Sequence, residues 1–113
     1  GHTWMLRESA TQQNQPVNVV HITDPMVDPL IPVGRELSAF VDAIVMLDFD
    51  ELPIARQALY DLAGPGAVTR AAAVCANFEG TNRVVDAVGV PVNKRFFDIG
   101  ADLGVTIPEH LRG

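Results

Sequence analysis

The sequence predicts an all-α fold, a small helical bundle of about four helices preceded by an extended, proline-rich N-terminal arm. Apolar residues recur at spacings of three and four from residue 34 onward, which places them on one face of a helix. Asp, Gly and Pro separate these segments by short loops, as in helical bundles. We therefore divide the chain into an arm over residues 1–33 and a helical domain over residues 34–113.

The arm differs from the rest of the chain because prolines stand at positions 16, 25, 29 and 32. Proline lacks an N–H and disfavours helix at the residue before it, so residues 3–33 should be extended or turning. The segment VNVVHI is expected to form a short strand or to lie along the helical core, and the polar stretch ATQQNQ before it to be mobile. Gly1 and His2 resemble the remnant of a tag.

Four helices are expected after the arm. The first carries a stripe that includes Leu37, Phe40 and Ile44. Asp50 is expected to cap the second helix, which should end at Gly64 and Pro65 because this pair stops helices. The third should run from about Pro65 to Val88, and the fourth from Asn93 to Gly104. The third helix carries the residues of greatest chemical interest, on the stripe Val68, Ala71, Cys75, Phe78, Asn82 and Val85.

Composition argues against several classes of function. The net charge is −6, with 14 acidic and 8 basic residues and a single lysine, so a surface that follows nucleic-acid phosphates is not expected. No apolar run approaches the roughly 20 residues of a membrane span, and no segment resembles a secretory signal. We expect a cytoplasmic protein with no nucleic-acid or membrane partner.

No sequence motif points to a cofactor or a metal. The chain has no phosphate-binding glycine loop, no HExxH pair and no nucleophile elbow, so we expect no cofactor. His21, Asp24 and Asp28 are metal-ligating residue types, but their spacing matches no known ligand pattern. We therefore expect no metal site.

Cys75 and Asn82 each allow a structural and a functional interpretation. Cys75, the only cysteine, is either a small buried hydrophobe or a thiolate activated by a nearby positive charge. Asn82 lies on the apolar stripe, where a buried amide must find hydrogen-bond partners. Those partners would be an internal group that fixes helix register, a symmetry mate or a ligand.

Arg83 also has two interpretations. Glu79 precedes it by four residues and Asp86 follows it by three, which allows ion pairs along one helix. Alternatively, the guanidinium faces a pocket or a subunit interface and binds a carboxylate there.

The stretch AAAVCANFEGTNRVVDAVGVPV, residues 71–92, resembles a helix of the carboxymuconolactone decarboxylase/AhpD-like superfamily, especially its peroxidase-related members. The resemblance extends over residues 35–105 and rests on Phe78, Asn82, Arg83, Asp86, Gly89, Val90 and Pro91. It implies an all-α fold that assembles as a dimer or a larger symmetric homo-oligomer. The chain departs from the family because it lacks the CxxC pair, so the resemblance does not carry over thiol peroxidase activity.

The first hypothesis for function is a diverged, homo-oligomeric member of this superfamily without thiol peroxidase activity. It would bind or pack around a small apolar molecule through Cys75, Phe78, Asn82 and Arg83. The apolar residues of the arm would pack across a neighbouring subunit; they are Val17, Val19, Val20 and Ile22.

The alternative is a non-redox enzyme that acts on a small organic substrate. Asn82 and Arg83 would orient the substrate, and Asp86 would serve as the base. The sequence leaves open whether the protein is an enzyme.

Overall fold

The structure is a computed structural model that describes residues 2–113. It contains four α-helices and no strand within that range, which confirms the all-α prediction. The helices are α1 (His2–Gln12), α2 (Gly34–Val45), α3 (Glu51–Val88) and α4 (Phe97–Asp102). Three short 3-10 helices occur at Val19–Ile22, Lys94–Phe96 and Glu109–Leu111.

The chain forms two compact units, one over residues 32–87 and one that joins residues 2–31 to residues 88–113. The first boundary lies close to the predicted one at residue 33. The sequence suggested that residues 88–113 continue the helical domain, but the structure groups them with the arm. Contacts between segments distant in sequence explain this grouping: Thr23 Oγ1 donates a hydrogen bond to the carbonyl oxygen of Leu103, at 2.9 Å.

The long helix α3 is interrupted at Gly64, where φ is 83° and ψ is 175°. Glycine adopts this backbone conformation readily, and the following Pro65 disfavours a helical residue before it. Residues 51–63 and 65–88 are therefore separate helical segments that match the predicted second and third helices. The second helix begins at Glu51, directly after the predicted N-cap residue Asp50. The side chain that accepts the hydrogen bond from the Glu51 backbone N–H is that of Asp48, two residues before Asp50, at 3.1 Å.

The core of the unit over residues 32–87 lies where α2 meets both segments of α3. Phe40, Ala55 and Leu59 are buried at its centre, and Leu59 is fully inaccessible to solvent. Both α3 segments contribute because the interruption at Gly64 lets each of them contact α2. The partly buried residues around this centre are Val33, Leu37, Ile44, Leu52, Val68, Ala71 and Ala72.

Residues 2–12 form a helix, α1, where we expected extended chain. Three features of its own unit account for this: the Trp4 ring lies 5.8 Å from the Phe96 ring, Arg7 pairs with Asp102 at 2.8 Å, and Ala10 is buried. Short helices gain most of their stability from tertiary packing rather than from intrinsic propensity. The contact residues at positions 96–102 are distant in sequence, so the local pattern did not reveal the helix.

The rest of the arm turns back on itself, as its prolines predicted. The Asn18 backbone N–H donates to the carbonyl oxygen of Pro29 at 2.9 Å, and His21 Nδ1 donates to that of Val27 at 2.6 Å. The VNVVHI segment contains a 3-10 turn rather than a strand. Val19 is buried within its own unit, and of the four apolar arm residues only Ile22 is exposed.

Candidate functional site

An apolar groove of about 550 Å³ lies between α2 and residues 65–88 of α3, within the unit over residues 32–87. We call it the α2–α3 groove. Its volume lies within the range of about 300–1,000 Å³ that is typical of small-molecule sites. The groove is lined by Leu37, Val41, Val45, Ala67, Arg70, Ala71, Val74, Cys75, Phe78 and Glu79.

Helical periodicity explains why these residues form a continuous apolar surface. Leu37, Val41 and Val45 follow one another at intervals of four on α2, so they lie in one row. A matching row runs along α3, and it includes the small residues Ala67 and Ala71. Because alanine side chains end at Cβ, they leave space between the two helices that larger side chains would fill.

One side of the groove is open to solvent. Val45 and Val74, which lie on opposite walls, are 40% and 55% exposed. Exposed apolar surface at the rim of a cavity is a common feature of binding and interaction sites. A molecule in the groove would therefore contact α2 and α3 while one of its sides remained uncovered by residues 32–87.

Charged side chains lie toward the two ends of the α3 wall. Arg70 and Glu79 line the groove and are separated by about 13 Å along the helix axis. The Arg70 guanidinium lies against Gly66, since a Cβ built at that glycine would be 3.1 Å from Arg70 Nη2. Glu79 faces Arg83 across 3.8 Å. The α3 wall between the two ends is apolar.

Cys75 lines the groove as a buried, protonated thiol. It is 7% exposed, and its pKa is raised above the usual value, first by burial and second by the negative charge of Glu79. A reactive cysteine needs the opposite environment, one that stabilises the thiolate. The geometry therefore favours the interpretation of Cys75 as a small hydrophobe of the groove wall.

Of the four residues predicted to bind a ligand, Cys75 and Phe78 line the groove, whereas Asn82 and Arg83 do not. Asn82 is exposed, and the prediction that it is buried was wrong. The side chain of Arg83 is 77% exposed, and its contact with Glu79 is the helical ion pair expected from their spacing. Asp86 is also exposed and lies outside the groove.

The lengths of the helices explain the exposure of residues 81–87. The 12 residues of α2 extend about 18 Å, whereas residues 65–88 of α3 extend about 36 Å. The last turns of α3 therefore continue beyond the length of α2. Apolar periodicity alone did not reveal this, because it identifies a helix face without showing what covers it.

The sequence reasoning did not identify several residues of the groove. Leu37 was interpreted only as part of the apolar stripe of the first helix. Ala67 and Ala71 are the residues that most nearly indicate a groove in the sequence, because small residues on a helix face permit either close packing or a cavity. Only the pairing of α2 with α3 distinguishes these two outcomes.

The arm residues considered for metal binding serve structural roles. Asp24 and Asp28 accept hydrogen bonds from the backbone N–H groups of Met26 and Leu30, at 3.1 and 2.9 Å. These contacts form local turns of the arm. Across residues 2–113, no cluster of three or more His, Cys, Asp or Glu side chains is placed to hold a metal ion.

None of the helices within residues 2–113 combines the length and the apolar character needed to cross a membrane. Comparison of the chain with protein-family models, curated proteins and solved structures finds no match. The candidate site therefore rests on the geometry of the α2–α3 groove.

Proposed function

We propose that this chain binds a small apolar molecule in the α2–α3 groove and acts as a cytoplasmic homo-oligomer without thiol peroxidase activity. We also propose that it is a diverged member of the carboxymuconolactone decarboxylase/AhpD-like superfamily, on the resemblance of residues 71–92. The observation that carries the binding proposal is the continuous apolar lining of the groove. Burial of apolar ligand surface contributes about 25 cal/mol per Å², so an apolar molecule gains affinity from such walls without specific polar contacts.

The chemistry of the groove favours binding over redox catalysis. Cys75 is its only thiol, and burial raises the pKa of that thiol, so little thiolate forms at neutral pH. A peroxidatic cycle that resolves through an internal disulfide requires a second cysteine, which these 113 residues do not contain. The groove thus supplies shape and apolar contact rather than a nucleophile.

The non-redox enzyme hypothesis receives less support from the geometry. It assigned substrate orientation to Asn82 and Arg83 and the role of base to Asp86. All three side chains are exposed and lie outside the groove. General acid–base catalysis requires hydrogen-bond reach to the reacting group, and these residues do not face the cavity.

Titration with the uncharged fluorescent probe N-phenyl-1-naphthylamine tests the proposal. We expect saturable binding with one probe per groove. At about 0.4 kcal/mol per non-hydrogen atom, its Kd is on the order of 10 µM. Ala67→Trp fills the groove and should weaken binding roughly tenfold or more, because an indole occupies the volume that the probe needs.

Ala73→Trp is the matched control, since it introduces the same side chain at an exposed position of the same helix that does not line the groove. It should leave the Kd unchanged. Equal binding by both variants, or no saturable binding by the unmodified chain, would show that the groove is not the site. Circular dichroism of each variant establishes that the helices are intact.

A further inference from the structure

We propose that the ligand of the α2–α3 groove is a carboxylic acid with an unbranched apolar chain. Its carboxylate binds Arg70 at the open rim of the groove, and its chain lies along the apolar wall toward Cys75 and Phe78. This inference rests on the proposed function of the groove and names the chemical class of the molecule that the groove binds.

The first observation is that the two charged residues of the groove lie on different sides of its α3 wall. Arg70 precedes Val74 by four residues and Glu79 follows Cys75 by four, a spacing that places each pair on one side of the helix. Val74 is 55% exposed at the open rim, whereas Cys75 is buried. Arg70 therefore lies on the open side of the wall and Glu79 on its buried side.

The second observation is that the positive charge of Arg70 is not neutralised by an acidic side chain. Across the part of the chain that the structure describes, Arg70 forms no ion pair. Its guanidinium lies over Gly66 and is exposed, and exposed side chains change rotamer within nanoseconds. It can therefore turn toward a carboxylate at this end of the groove and bind it through two parallel hydrogen bonds.

The third observation is that Glu79 disfavours an anion at the other end of the groove. Its negative charge contributes to the raised pKa of the Cys75 thiol, so its field acts on the buried side of the wall. The Arg83 guanidinium lies 3.8 Å from the Glu79 carboxylate and its side chain is exposed, so it offsets that charge only in part. The two ends of the groove thus favour one direction of an anionic ligand, with the head group at Arg70.

The distance between the two charged residues limits the length of the chain. Arg70 and Glu79 are about 13 Å apart along the helix axis. With C–C bonds of about 1.5 Å, an extended saturated chain advances about 1.25 Å per carbon, so about ten carbons span this distance. The wall between the two residues is apolar, as such a chain requires.

A carboxylate fits the rim better than a phosphate does. Among the described residues that line the groove, Arg70 is the one that carries a positive charge. A phosphate monoester carries about −1.5 to −2 charges at pH 7, which exceeds what one guanidinium neutralises. A carboxylate carries one charge and matches the planar guanidinium in shape.

Octanoate and 1-octanol test the proposal, because they share an eight-carbon chain and differ in the charge of the head group. Titration of the isotope-labelled chain at pH 7, followed by ¹H–¹⁵N correlation spectra, reports the Kd and the amides affected. Both ligands should perturb amides of the groove wall, among them Ala71, Val74 and Cys75. The Kd of octanoate should be on the order of 1 mM.

Substitution of Arg70 separates the contribution of the head group from that of the chain. Arg70→Gln should weaken octanoate about three- to tenfold, because it removes a partly exposed charge-assisted contact, and should leave the Kd of 1-octanol unchanged. A rise in NaCl from 0.05 to 0.5 M should weaken octanoate in the unmodified chain and have less effect in Arg70→Gln, since salt screens exposed charges.

Arg56→Gln is the matched control. It removes the same charge from an exposed arginine of α3 that does not line the groove, so both Kd values should stay unchanged. An equal effect of Arg70→Gln on octanoate and 1-octanol, or an equal loss of octanoate binding in Arg56→Gln, would overturn the proposal. The spectra of both variants also establish that they are folded.

This proposal and the proposed function fail in distinguishable ways. If 1-octanol and N-phenyl-1-naphthylamine bind in the groove but octanoate binding does not depend on Arg70, the groove keeps its function and the carboxylate is rejected. If none of the three molecules perturbs the groove, the binding function itself is rejected, and the ligand class with it.

Discussion

Gly64 and Pro65 together divide the 38-residue run of α3 into two helical segments, because Gly64 has a backbone conformation that other residues rarely adopt. Both segments then contact α2 and form the core around Leu59. The groove exists because the segment after Pro65 lies beside α2 along its Ala67, Ala71 and Val74 row.

Substitution at Gly64 should destabilise the unit over residues 32–87. Gly64→Ala is expected to lower the free energy of unfolding by about 1–3 kcal/mol, because alanine is strained at this φ and ψ although no atom lies near the added Cβ. Urea unfolding followed by circular dichroism measures the change. Gly80→Ala is the control: the site lies within the helix with open space around it, so alanine should stabilise by about 1 kcal/mol. If both substitutions changed the free energy of unfolding in the same direction, the assignment of a special backbone conformation to Gly64 would be contradicted.

Leu59 should be the most sensitive apolar residue of the same unit. It is fully buried among Phe40 and Ala55, so Leu59→Ala is expected to cost about 2–5 kcal/mol. Leu62→Ala makes the same chemical change at a residue that is 63% exposed, and it should cost less than about 1 kcal/mol. Thermal or urea unfolding of the two variants compares them directly. Similar losses at both positions would place the core elsewhere.

Cys75 should react slowly in the folded protein. Burial excludes the reagent and raises the thiol pKa, so iodoacetamide should label Cys75 much faster in 6 M urea than in buffer at the same pH. Quantification of labelled protein by intact mass spectrometry gives both rates. Rapid labelling of the native chain would restore the interpretation of Cys75 as a reactive thiol.

Cys75 should also make the free energy of unfolding depend on pH in the alkaline range. The folded-state pKa of Cys75 is raised, so the unfolded thiol, with a pKa of about 8.5, loses its proton first as pH rises. The contribution of the protonated Cys75 thiol to the free energy of unfolding is fully present below the unfolded-state pKa. It is lost as pH rises from there through the folded-state pKa. Unfolding free energies measured from pH 7 to pH 10 should fall more steeply for the unmodified chain than for Cys75→Ala. Parallel curves would mean that the thiol is not protected by burial.

The ion pair between Arg7 and Asp102 should contribute little on its own. Their side chains are 34% and 56% exposed, so a double-mutant cycle with Arg7→Ala and Asp102→Ala should give a coupling of about 0.2–1 kcal/mol. The coupling should decrease in 1 M salt, since exposed charges are screened. A coupling that exceeds this range and persists in salt would show that the pair is desolvated.

Local chemistry made most of the helices predictable. The apolar spacing of α2 and the Gly64–Pro65 stop are properties of adjacent residues, and the structure contains both of them. The helix α1 was not predictable in this way, because contacts of Trp4 and Arg7 with residues about 90 positions away stabilise it.

The sequence predicted only part of the candidate site correctly. Cys75 and Phe78 line the groove as expected, but Asn82 shares their stripe and is exposed. The difference arises because α2 covers the first part of the stripe and not the last. The apolar periodicity is the same in both parts of the stripe. It therefore does not indicate where the neighbouring helix α2 ends.

The all-α class, the interruption of α3 and the alternation of apolar and polar helix faces are predictable from the amino-acid sequence, because they follow from backbone sterics and side-chain spacing within a few residues. The packing of the helices places Leu37, Val41 and Val45 across a cavity from Ala67, Ala71 and Val74, and it leaves Asn82 and Arg83 in solvent. Those outcomes depend on which faces pack together and on how far each helix extends, and both are set by contacts between residues distant in the chain.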